Sequence, residues 1–163
     1  MNKYLIPILI FIPILFSQIF AVPFISFDNI GPNLILILLV FYTLLNGQIY
    51  GSILGFIFGL FFDLLSGGII GSAMFSLTSA GFIAGYFFNP NKIETNFSLL
   101  NFFFIVFLSA TIESFLFTIL GPDEFNFDLL KLIFERSVVP GFYTSIIALI
   151  VIVLLPKRNY QND

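Results

Sequence analysis

Polar residues in this chain fall in short clusters, and the apolar stretches between them are too long to be one face of a soluble helix. Residues 4–27, 95–112 and 137–156 carry no charge, and between Asp28 and Lys92 the only charge is Asp63. About 20 apolar residues suffice to cross the hydrocarbon core as a helix. On that measure the pattern predicts spans over residues 4–26, 32–46, 48–65, 69–88, 97–120 and 138–155. The breaks are legible. Gly31-Pro32 opens the second span, with proline placed at a helix start. Asn46-Gly47-Gln48 divides the second from the third, Ser66-Gly67-Gly68 the third from the fourth, and Asn89-Pro90-Asn91 closes the fourth. The first span contains Pro7, Pro13 and Pro23, which predicts a kinked helix packed on neighbours that re-satisfy its freed carbonyls. The second has an apolar core of 12 residues, Leu34 to Leu45, so it tilts little, borrows flanking residues or is re-entrant. Residues 121–137 differ from the rest. Leu130, Ile133 and Phe134 recur at helical spacing among Asp123, Glu124, Asp128, Lys131, Glu135 and Arg136, the pattern of an amphipathic helix in the interface.

Composition supports the same class. Hydrophobic residues are 59% of the 163 and charged residues 9%, against about a quarter charged in soluble domains. The expectation is an all-α membrane protein: a single polytopic domain, residues 1–163, forming a six-transmembrane-helix bundle. The N-terminal run could pass for a signal peptide, but its apolar stretch continues to Phe27, longer than the usual cleaved segment, and it reads as a retained span. Cys and His are absent, which removes thiolate chemistry, the commonest metal ligand and the commonest general base. No metal site, cofactor or catalytic centre is expected. The six basic residues are scattered and leave no nucleic-acid footprint. Lys3, Lys92, Lys157 and Arg158 collect on the side of the termini and only Lys131 and Arg136 on the other, which places both termini in the cytoplasm.

Two constellations stand out. Gly47, Gly51, Gly55 and Gly59 recur every four residues, and Gly81 and Gly85 repeat the step on the next span. Four residues are about 400° of helix, so each set stays on one face, and in lipid such faces allow close backbone approach. The stripe is either an internal helix-packing seam or a groove for a partner's helix. The second constellation is ionic. Asp63 and Glu113 fall in the outer part of their spans, where a charge is costly and marks function or a fixed ion pair, and Arg136 sits at the outer entry of the sixth span. They predict an outer-leaflet cluster with Arg136 as counter-charge to one or both acids.

In combination, Pro32-Asn33-Leu34, Phe41 to Gly47, Tyr50-Gly51, Gly55 to Leu60 and Asp63 to Gly67 resemble the rod shape-determining protein MreD family. The resemblance implies a non-enzymatic inner-membrane scaffold of the bacterial cell-elongation complex, supporting peptidoglycan synthesis and cell shape. It implies binding to MreC, a single-span protein, in an assembly with MreB, RodA and a penicillin-binding transpeptidase. It also implies the six-helix architecture of the substrate-binding subunit of energy-coupling-factor transporters. The alternative is therefore a vitamin-binding subunit of such a transporter. Few polar residues are visible for a ligand pocket (Asp63, Thr111, Glu113, Ser114, Arg136), which favours the scaffold.

Overall fold

The structure, a computed structural model, describes residues 2–26, 30–91, 93–121 and 133–154. Every regular element among these residues is helical. The first is α1 (Asn2–Phe16), which passes through a π turn at Ser17–Ala21 into α2 (Val22–Ile25). Pro7 and Pro13 lie inside α1. The helix continues through both prolines and widens at Ser17–Ala21, where the Val22 N–H reaches back five residues to the Ser17 carbonyl. Pro23, one residue further on, has no N–H to continue the ordinary ladder.

The predicted second span is α3 (Leu34–Asn46), and it is the centre of the molecule. Ile35, Leu36, Leu39, Val40, Thr43 and Leu44 are all buried, and α3 packs against α1 and every later long helix. Its 13 residues measure about 20 Å, short of the ~30 Å hydrocarbon core. A helix largely enclosed by its neighbours does not need to reach both lipid faces by itself. Pro32 precedes the helix instead of opening it. Asn33 is the N-cap, and its Oδ1 accepts from the Leu36 N–H at 3.0 Å. A side-chain acceptor satisfies a first-turn donor directly, which proline does not.

Gly47 both ends α3 and starts α4 (Gln48–Ser66). Its φ of +97° lies in the region open to glycine, and its N–H donates to the Thr43 carbonyl at 2.8 Å. The chain turns again through Gly67 and Gly71, also at positive φ, into α5 (Ser72–Tyr86). Then come a short α6 (Ile93–Asn96) and the long α7 (Leu99–Leu120). The last helix, α8 (Val139–Leu154), is entered through a π turn at Phe134–Val138. The last span therefore begins earlier than residue 138, because residues 134–138 already belong to a helical turn. Most of the expected amphipathic loop, residues 122–132, lies outside the described residues, as do Lys92, Lys131, Lys157 and Arg158 of the orientation argument.

Four helical stretches are long and apolar enough to cross a membrane: Leu5–Ile25, Gln48–Ser66, Leu99–Leu120 and Phe134–Leu154. The two shorter helices α3 and α5 lie among them. The outward faces carry large apolar side chains such as Phe24, Ile49 and Leu100, the surface expected where lipid is the solvent.

Candidate functional site

The glycine stripe is used inside the chain. A Cβ on Gly59 would sit 2.5 Å from the Ala73 carbonyl oxygen and Met74 Cα. One on Gly55 would meet the backbone of Leu77 and Thr78, and one on Gly51 would lie 2.9 Å from the Gly81 carbonyl. From the other helix, Gly81 meets the Gly51 backbone and Gly85 meets Gln48. Residues 51, 55 and 59 thus face 81, 77 and 73, a constant antiparallel register in steps of four. Among the described residues no other pair of helices is in such extensive contact. Gly47 is set apart from the seam, packing against the Phe88 ring. The face that the sequence left open to a partner is filled by α5. A second seam, not anticipated from sequence, joins α7 and α8, where Gly141 lies against Thr111.

Asp63 locks the glycine seam at its turn. It is 2% exposed, and its carboxylate accepts from the N–H groups of Gly71 (2.8 Å), Ala73 (3.0 Å) and Met74 (3.2 Å) and from Ser72 Oγ (3.3 Å). These are the donors that the start of α5 leaves unpaired, and an anion there also complements the helix dipole. The expected pairing of Asp63 with Arg136 gives way to capping, since the N-terminus of α5 is eight residues away along the chain and supplies donors already aligned.

Glu113 and Arg136 do share a site. Both line a cavity of about 680 Å³ at the end of the bundle where α3 and α5 begin. Its floor is the start of α3, and four elements converge there. Gln18, from the first π turn, accepts from the Leu34 N–H at 2.8 Å and donates to the Pro32 carbonyl at 3.1 Å. Thr144 of α8 accepts from the Asn33 N–H at 3.0 Å. Asn33, whose Oδ1 is engaged with Leu36, lines the cavity together with Glu113 of α7. Ser114 Oγ donates to Glu113 Oε2 at 3.4 Å. Glu113 is 5% exposed, and the donor it meets is the Ser114 hydroxyl. Arg136 and Glu135, both exposed, come from the second π turn. Sequence reasoning found Glu113, Ser114 and Arg136 but missed Gln18, Asn33 and Thr144. The one readable signal among these was the helix-capping residue type at 33.

Membrane-length apolar helices, packed on small-residue seams around a short central helix, define a multi-pass integral membrane protein. A family model described as rod shape-determining protein MreD matches residues 1–159, and the chain belongs to that family. It is therefore a shape-determining membrane protein. No curated protein and no solved structure matched the chain.

Proposed function

We propose that this chain is a non-enzymatic scaffold of the bacterial cell-elongation complex, a single six-span domain in the inner membrane with both termini in the cytoplasm. In this reading it holds the membrane helix of an MreC-like protein and thereby serves peptidoglycan synthesis. The observation that carries the reading is the family match along residues 1–159. The order of helices supports it, since helical segments follow one another where the spans were expected; in this reading the short α3 and α5 cross together with the four longer stretches. The glycine seam is then an internal brace, and the partner's helix docks on another face. Capture of the full chain from its native membrane in mild detergent, followed by mass spectrometry, tests the proposal. Recovery of a one-span protein with a large extracytoplasmic region is the expected result.

One observation favours the second reading, a small-molecule-binding subunit of an energy-coupling-factor-type transporter. The cavity gathers Gln18, Asn33, Thr118 and Thr144, which the sequence did not single out, with Glu113, Ser114 and Arg136 of the expected set, while Asp63 and Thr111 of that set are not in its lining. Co-purification of a pair of ATPases with a large coupling subunit would establish that reading in place of the first.

A further inference from the structure

The cavity at the start of α3 has a definite chemical preference. Its charged wall residues are two acids, Glu113 and Glu135, and one base, Arg136. With all three ionised they leave one net negative charge. Glu113 is the deepest of them, and a carboxylate has about four lone-pair sites. Ser114 supplies one donor at 3.4 Å, so the group, which lines the cavity, retains acceptor capacity. Around it the wall is apolar and aromatic. Phe62 and Phe117, with ring centroids 6.4 Å apart, line the cavity together with Val22 and Leu77. An acid and aromatic rings lining one cavity make an environment that receives an ammonium group.

The site is also built, in the sense that its polar groups are held. Gln18 and Thr144 are each fixed by bonds to the backbone of residues 32–34, and Asn33 by its cap. Both π turns of the described chain, Ser17–Ala21 and Phe134–Val138, deliver residues to this one cavity. Single π turns within helices concentrate at functional sites. The cavity volume, about 680 Å³, falls in the range of small-molecule sites, roughly 300–1,000 Å³.

We infer that this cavity binds an ammonium group carried on an apolar body, with Glu113 as the anchoring acceptor. The ligand is either the headgroup of an aminophospholipid entering from the bilayer or a free organic amine. The inference rests on the cavity and not on the scaffold reading, so failure to recover a partner protein leaves it standing.

The test uses the full chain in detergent. Native mass spectrometry with equal phosphatidylethanolamine and phosphatidylglycerol reads the lipid source, and the thermal midpoint with added phenethylamine reads the soluble one. The expected result is at least a fivefold preference for the ethanolamine lipid, or a midpoint raised by several degrees with the amine. Either effect should vanish in Glu113→Gln and in Thr118→Phe, which fills the cavity and leaves the acid in place. Should Glu113→Gln fail to fold, the Thr118→Phe protein decides. A wild-type protein that shows neither effect, or prefers the glycerol lipid, would overturn the inference. So would a preference that survives both substitutions.

Discussion

At Asp63 a single carboxylate serves four donors across one turn, and its value follows from what its removal would strand. Asp63→Ala leaves the Gly71, Ala73 and Met74 amides without their acceptor beside the most extensive helix–helix contact of the molecule. Loss of a charged cap with several bonds costs about 2–3 kcal/mol. The unfolding midpoint in detergent should fall accordingly, and Asp63→Asn, which keeps one acceptor oxygen, should fall about half as far. A wild-type midpoint for Asp63→Ala would show that α5 is capped by other means. The opposite sign is expected on the buried face of α7. Ser109 Oγ is buried without a hydrogen-bond partner, so Ser109→Ala deletes an unsatisfied polar group and should leave stability unchanged or raise it by up to ~1 kcal/mol. Measurable destabilisation would mean that the hydroxyl finds an acceptor in the membrane. Of these two residues, only Asp63 was conspicuous in the sequence, and there it suggested an ion pair. The reason is local. A lone acid at a span's end reads as a costly charge, and only the turn through Gly67 and Gly71 reveals that it faces a helix start.

Among elements, the α4–α5 hairpin is where sequence came closest to structure. Glycine every four residues states that a backbone approaches that face, but the same spacing serves an internal helix and a foreign one equally. What decides is the complementary step of Ala73, Leu77, Gly81 and Gly85 and a turn short enough to fold α5 straight back. A side chain at Gly55 meets backbone atoms of Leu77 and Thr78, which cannot rotate away. Gly55→Ala should therefore cost about 1–3 kcal/mol by forcing the helices apart. Gly55→Leu should abolish the monodisperse peak in size-exclusion chromatography, whereas Gly68→Ala, with open space around its Cβ position, should leave it intact. If Gly55→Leu remains monodisperse and only partner capture is lost, the face belongs to a partner after all. The cavity was far less legible. Gln18, Asn33, Glu113 and Thr144 lie in four separate, mostly apolar stretches, and no local period connects them. They meet because α3 is too short to fill its end of the bundle, and neither the packing around α3 nor the two π turns has a signature in hydropathy.

For the whole molecule, hydropathy and structure agree on the order of helical segments, while four stretches among the described residues are long and apolar enough to span. Whether α3 and α5 also cross fixes the sidedness of everything else. The chain sense places Gly68, in the α4–α5 turn, at the cavity end and Asn89, after α5, at the opposite end, and both residues are exposed. The protein contains no cysteine, so Gly68→Cys and Asn89→Cys each introduce one reporter against a silent background. With termini in the cytoplasm and six crossings, a membrane-impermeant maleimide should label Gly68→Cys only in right-side-out vesicles and Asn89→Cys only in inside-out vesicles. The reverse pattern would invert the orientation drawn from four basic residues against two. Labelling of both from one face would mean that α5 does not cross, and the chain would then have fewer spans than six. The expected pattern has a consequence for the cavity as well. It would open the polar end of the bundle, with Glu113 and Arg136, toward the extracytoplasmic face, where a ligand would arrive from the outer leaflet or from solution without crossing the membrane.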